Sequence, residues 1–297
     1  MWKIKFAGKT LLTLRQRLEE IKLQQGAQLA LGSQGHQSTN IQDHEFRVFS
    51  QWGEDGIIQY LIRQIPIAHR TFIEFGVEDF SESNCRFLMM NNNWRGMVID
   101  GSDRNIERIR SEYYFWRHDL ATVAAFITRE NINGLLSRSG FNHDLGLLSV
   151  DIDGNDFHVL QAILDFQPRI LVCEYNAVFG AHRKITVPYS ADFQRTRRHH
   201  SNLYFGASLA ALAWIADQRG YDLVGTNSNG VNAFFVRRDL LGLGLKSLTA
   251  LEAFTPSLTR ESRDSAGRLS YLTGDDRLAE IRGLPVLDVV TAKLEPL

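Results

Sequence analysis

The chain has only two cysteines in 297 residues, Cys85 and Cys173, and both stand among apolar neighbours. Two cannot build the disulfide framework of a small secreted domain. They read as buried thiols in a reducing compartment, with one disulfide as the alternative. An excess of charge of either sign is missing too, since 33 Lys and Arg meet 34 Asp and Glu. No global field therefore draws the chain to nucleic acid or to a membrane, and an anionic partner has to find a local patch. No run approaches the roughly 18 to 20 apolar residues of a membrane span. The opening "MWKIKFAGKTLLTLRQRLEEIK" is charged throughout and lacks the apolar centre of a secretory signal, so the expected compartment is the cytoplasm. Internal repeats, low-complexity tracts and a P-loop are also absent.

What is present is ordinary for a globular protein, with 44% hydrophobic and 23% charged residues, over a length that allows one large core or two modest ones. Residues 1–45 read as a helical extension and linker. Leu11, Leu14, Leu18 and Ile21 follow 3-4-3 spacing, one apolar stripe that ends at Gln25. Such a stripe serves a helix packed on its own body or a short dimerising helix, the route to a homo-oligomer. The polar "GSQGHQSTNIQ" reads as the linker. From residue 46 to 240 strands and helices alternate. "TFIEFG", "RGMVIDG", "LGLLSVDI" and "RILVCEYN" read as strands. "EDGIIQYLIRQI", "SNCRFLMMNNN", "DRNIERIRSEY", "ATVAAFITRENINGLLSR", "DFHVLQAILDF" and "GASLAALAWIADQRG" read as helices. The strands are continuous apolar runs, as in a parallel sheet covered on both faces. The expected fold is a doubly wound, mostly parallel α/β sheet. "YDLVGTN" and "VNAFFVRRD", joined by a short Asn-Gly turn, add an antiparallel strand at one side. That turn explains Asn229; Asn232 opens the last strand. Residues 241–297 read as an extension that wraps the core.

Ligands of open α/β sheets bind at the carboxyl ends of the strands. Here each strand delivers an acid to that rim: "FIEFGVEDF", "VIDGS", "SVDIDGND" and "VCEYN". The first turn is G-V-E-D-F where a dinucleotide site wants G-x-G-x-x-G, and its carboxylates repel pyrophosphate. An acidic rim instead suits a nucleoside carrying positive charge. Gly76 allows close backbone approach, and Asp100 is placed to accept from ribose hydroxyls. Asp151, Asp153 and Asp156 stand within six residues, but Gly154 comes too early for a calcium loop. They serve either a metal or a solvated pocket, with Asp156 capping a helix. The stretch 177–205 is long for a connector and reads as a lid. It carries His182, His199 and the basic cluster Arg195, Arg197 and Arg198. That cluster is either a solvated charge run or a grip on an anionic acceptor. His158 lies inside a helix and reads as structural.

In order and spacing, "FIEFGVEDFSESN", "GMVIDGS", "LLSVDIDGNDFHVLQAI" and "ILVCEYN" resemble the core motifs of FkbM-type class I S-adenosylmethionine-dependent methyltransferases, and "SQWGEDGIIQYL" resembles a segment upstream of that core. The resemblance implies a seven-stranded Rossmann-like methyltransferase sheet and transfer of a methyl group to a hydroxyl, often on a sugar. It places Glu74 and Gly76 beside the methionine part of the cofactor, Asp100 on the ribose, and Ser102 and Asp119 beside the adenine. One departure is Glu78, where the family usually has a second small residue; it contacts the ligand's amino group or crowds the pocket. The DGND stretch is also similar to that of macrocin-type sugar O-methyltransferases, which bind magnesium there. By that likeness Asp151, Asp153, Asp156 and Glu174 would hold Mg²⁺, and Asn176 would complete the shell or meet substrate. Methyl transfer needs a base, for which His182 and Asp151 are the candidates. Arg195, Arg197, Arg198 and His199 are the expected acceptor contacts. Two rival readings stand beside this one: a metal-dependent transferase or hydrolase of phosphorylated sugars, and a non-catalytic binding subunit.

Overall fold

The computed structural model describes residues 2–242 and 244–297, with side chains from Leu14 onward. Seven strands form the main sheet: β1 (Thr71–Phe75), β2 (Arg95–Asp100), β3 (Leu120–Ala124), β4 (Leu147–Val150), β5 (Ile170–Glu174), β7 (Tyr221–Thr226) and β8 (Asn232–Arg237). The two-residue strand β6 (Ile185–Thr186) lies outside it. The order is β3-β2-β1-β4-β5-β8-β7. Pairing is parallel from β3 through β5, and β8 runs antiparallel to both of its neighbours. This is the mostly parallel, seven-stranded sheet with one antiparallel strand that the sequence predicts. Helices cover both faces, as continuous apolar strands require. α2 (Glu54–Gln64), α3 (Arg86–Asn92) and α4 (Asp103–Ser111) bury Ile57, Leu61, Leu88 and Ile106 on one side. α5 (Ile132–Ser137), α6 (Asp156–Ala162) and α8 (Leu209–Gln218) bury Leu136, Leu160 and Leu212 on the other.

One expected element is different. The stretch "ATVAAFITRENINGLLSR" is not one helix. Its first residues form β3, which pairs from Gly96↔Leu120 to Asp100↔Ala124. A turn follows, in which the Asn131 side chain accepts from the Thr128 amide at 2.9 Å, and then α5. Apolar residues in this run satisfy either period, and pairing with β2 decides the outcome.

The N-terminal helix α1 (Trp2–Gly32) does pack on the body, but not through the expected stripe. Gly26 lies against Val48 and Phe87, where a Cβ would find no space, and Ala30 is buried. Arg86, 1% exposed, sits between the Phe49 and Tyr114 rings and donates to Glu19 of α1 at 2.6 Å. Leu14, Leu18 and Ile21 face outward, and the Leu11 side chain lies outside the described ones. The expected linker is not loose either, because Ile41 is buried and His44 stacks on Tyr60.

The C-terminal segment forms α9 (Ala250–Ala253), α10 (Asp275–Ile281) and the hairpin β9 (Pro285–Asp288) and β10 (Lys293–Pro296). β9 pairs antiparallel with β6, which lies in the 177–205 stretch. A small core of Phe179, Ile185, Phe193, Leu203, Ile281 and Val286 joins the two segments. The expected lid is therefore anchored to the C-terminal segment.

Candidate functional site

The strand order reverses between β1 and β4, and there the two chains leave the sheet in close contact. Gly76 has φ +67°, and a Cβ on it would stand 1.7 Å from the Asp151 carbonyl oxygen. Only glycine satisfies both demands. Two cavities open at this switch point, which is where an open α/β sheet offers its ligand crevice. They share Gly76, Glu78, Asp151 and Asp153 as a common wall.

The smaller cavity, ≈ 170 Å³, lies over the ends of β1, β2 and β3. Asp100 stands on one side, and Phe126, Ile127 and Ile152 give apolar walls. Asp100 already accepts from the Ser102 and Glu78 amides and from the Asn105 side chain, at 2.8, 2.9 and 3.0 Å. A carboxylate has about four lone-pair sites, so about one remains for a ligand hydroxyl. Ser102 caps α4 through the Asn105 amide and does not line the cavity. Asp119 is misplaced by the sequence reading. It precedes β3, at the opposite end of the sheet, and pairs with Arg95 at 2.7 Å. The residues that follow β3, Phe126 and Ile127, stand where Asp119 was expected.

The larger cavity, ≈ 380 Å³, lies over β1, β4 and β5. Parallel pairing of Val150 with Cys173 brings Asp151 and Glu174 side by side. Burial, with Asp153 and Asp156 nearby, lifts the Asp151 carboxyl well above its ordinary range. Burial and Asp151 do the same to Glu174. The two behave as one coupled acid pair. Glu74 is buried beneath them and binds the 83–85 loop through the Asn84 and Cys85 amides at 2.7 and 3.3 Å. Burial pushes it up to about 7. Glu78 is also raised, by burial and then by Asp79, Asp100 and Asp153.

Carboxylate oxygens of Asp151, Asp153 and Glu174 lie within 4.8 Å of one another, and Glu174 Oε2 has no partner among the described residues. That donor set fits a divalent cation. Asp156 does not belong to it, because its two oxygens accept from the Ile152 and Gly154 amides at 2.8 and 2.9 Å. It shapes the loop that presents Asp151 and Asp153.

Of the basic cluster on α7 (Arg195–Arg198), Arg195 alone lines the cavity. It donates to Asp153 at 2.8 Å and to the Asn202 carbonyl at 2.7 Å, and lies over the Phe205 ring. Arg197 is exposed, and Arg198 pairs with Asp192. His199 bonds Ser201 and its ring lies tilted against that of His200, which pairs with Glu280 of α10. His182 is exposed and lines neither cavity. Asn176 does line the larger one, with both Nδ2 protons donated to the Leu203 and Phe205 carbonyls and Oδ1 accepting from the Val178 amide, which leaves one lone pair on Oδ1. The sequence reading missed Thr259, Glu261 and Arg277, which the C-terminal segment adds to the wall. Arg277 is 8% exposed, its Nε has no partner among the described residues, and Nη1 donates to the Thr259 carbonyl. Asn232 joins them, with Nδ2 on Glu54 and Oδ1 unpartnered. Seven carboxylate residues and two arginines line this cavity among the described residues. A grip on an anionic acceptor is the wrong sign for such a surface.

No protein-family model matches the chain, and no curated protein matches it. Among solved structures it is similar to the N-terminal domain of EvdMO1 with SAH bound, at 9% identity over 63% of this chain and 80% of that one, with TM-score 0.38. It is similar to an S-adenosylmethionine-dependent methyltransferase from Clostridium acetobutylicum, at 8% identity over 62% and 89%, TM-score 0.39. An O-methyltransferase from Bacillus cereus in complex with SAH gives 13% identity over 72% and 88%, TM-score 0.37. Likeness at this level decides neither family nor activity.

Proposed function

We propose that the chain is an S-adenosylmethionine-dependent methyltransferase that acts in the cytoplasm on a hydroxyl of a sugar-containing or other polyhydroxyl acceptor. One observation carries the reading. A cavity with a free carboxylate acceptor and apolar walls adjoins a larger polar, acidic cavity, and the two share a wall at the switch point. The first fits a nucleoside and the second a hydroxyl-rich acceptor.

When bound, S-adenosylmethionine supplies an electrophilic methyl group on a positively charged sulfur, and an acidic rim attracts that charge. Asp100 would accept from the ribose with its remaining lone pair, while Phe126 and Ile127 would cover the adenine. The paired Asp151 and Glu174 carboxyls, whose proton affinity burial raises, would serve as the base for the acceptor hydroxyl. They take over the role that the sequence assigned to His182. Asp151, Asp153 and Glu174 would also hold Mg²⁺, which lowers the pKa of a coordinated hydroxyl. Arg195 already neutralises Asp153, so the acid pair has a route to turnover in which no metal takes part. The surplus of carboxylates disfavours the rival reading, a phosphorylated sugar as substrate.

Calorimetric titration with S-adenosylhomocysteine, in Mg²⁺ and in EDTA, tests the reading. Micromolar binding, weakened about tenfold by Asp100→Asn, is expected from the loss of one charge-assisted hydrogen bond. No binding in either buffer overturns the proposal.

A further inference from the structure

We infer that the outer face of α1 docks onto an anionic lipid bilayer. The inference is independent of the reaction proposed above. Leu14, Leu18, Ile21 and Leu29 are each at least 50% exposed and form one stripe on the side of α1 turned away from the body. The opposite side is fixed by Arg86, Gly26 and Ala30. Four large apolar side chains in a row along one helix are a partner surface in want of a partner.

Charge selects the partner. Residues 2–22 contain Lys3, Lys5, Lys9, Arg15, Arg17 and Lys22 against Glu19 and Glu20. Both acids are occupied, and so is Arg15, which pairs with Glu19 and Glu112. Glu19 accepts from Arg86 and Tyr113, and Glu20 accepts from Gln16 and lies beside Arg117. Arg17 and Lys22 are exposed and flank the stripe, Lys22 with its ammonium also 5.4 Å from the Phe49 ring, so the free face is apolar at its centre and carries exposed cations at its edges. The turn carrying Arg117 also exposes Trp116, at 76%, next to α1. Apolar centre, basic flanks and an adjacent aromatic are the features of a helix that lies in the interface of an anionic membrane. A second copy would set basic flank against basic flank, and the 3-4 spacing a coiled-coil seam needs places Gln25 and Gln28 after Ile21, leaving Leu29 beside that seam. Nucleic acid would leave the four apolar side chains unmatched.

The test is flotation of the full chain with vesicles of phosphatidylcholine containing phosphatidylglycerol, and with phosphatidylcholine alone. Binding to the anionic vesicles, lost in high salt, is expected. Leu18→Glu with Ile21→Glu should reduce it more than about tenfold, and Arg17→Glu with Lys22→Glu by a similar factor. These side chains lie outside the core, so an unchanged thermal midpoint confirms that the variants fold. Failure to float with anionic vesicles, or undiminished flotation of both variants, overturns the inference. So does a dimer in lipid-free buffer that Leu18→Glu with Ile21→Glu converts to a monomer, which would give the face to a second copy. Tighter binding to an RNA or DNA duplex than to vesicles would overturn it as well.

Discussion

Replacing Glu78 should stabilise the protein, and two substitutions separate the reasons. The loop after β1 has three residues in the left-handed region: Gly76 at φ +67°, Glu78 at +47° and Phe80 at +62°. A side chain in that region costs about 1–2 kcal/mol. Glu78 is held there because its amide donates to Asp100 at 2.9 Å. Glu78→Ala removes the carboxylate and keeps the Cβ, whereas Glu78→Gly removes both. Glycine gives back about 0.5–1 kcal/mol through its greater freedom in the unfolded chain. The glycine variant should therefore exceed the alanine variant by about 0.5–1 kcal/mol, or about 2 °C in Tm for a chain of this size. The charge acts separately. Burial and four neighbouring acids raise the Glu78 pKa, so its ionised form opposes folding above its unfolded value and stops doing so when protonated. Alanine should accordingly gain over wild type at neutral pH and lose that gain in acid. Urea unfolding at both pH values, with equal m values, measures each term. If alanine and glycine variants unfold at the same urea concentration, left-handed strain is not stored at this position.

Gly76→Ala should cost more than about 3 kcal/mol, since a disfavoured φ adds to a clash with backbone; soluble, folded protein with a near-native midpoint would contradict the close approach of β1 and β4. Burial lifts Glu74 from 4.5 to about 7, so its stabilising contribution is full below the lower value and lost as pH rises through the higher. The loss is on the order of 3 kcal/mol. Glu74→Gln should flatten the stability profile over that range, and an unaltered slope would remove Glu74 as its source. Glu19→Ala strands Arg86 in a buried setting and should destabilise by about 3–5 kcal/mol. A change of less than about 1 kcal/mol in denaturant unfolding would mean that the aromatic rings alone suffice for Arg86.

The acids that end the central strands were legible because a strand buried on both faces must stop where its first charge appears, and parallel register then aligns those ends. Val150 opposite Cys173 makes Asp151 and Glu174 neighbours without any further information. Edge strands lack that signal. β3 is only partly buried, so its pattern of apolar residues reads equally as helix, and the Asp119 that the resemblance set beside the adenine lies at the other end of the strand. The basic cluster failed for a geometric reason. In α7, successive residues turn by about 100°, so Arg195, Arg197 and Arg198 cannot share one direction. One faces the acids and two face solvent. Arg277 and Thr259 were beyond local reading altogether. They reach the cavity because β9 pairs with β6 about a hundred residues earlier, and a two-residue strand leaves no periodicity to find. The consequence is chemical as well as architectural. The central sheet supplies the acids over which both cavities are built, whereas the wall of the larger cavity takes its second arginine from a segment with no strand in the main sheet. Under the proposed function, specificity for the acceptor would change through residues 257–277 while the smaller cavity over β1, β2 and β3 stays as it is.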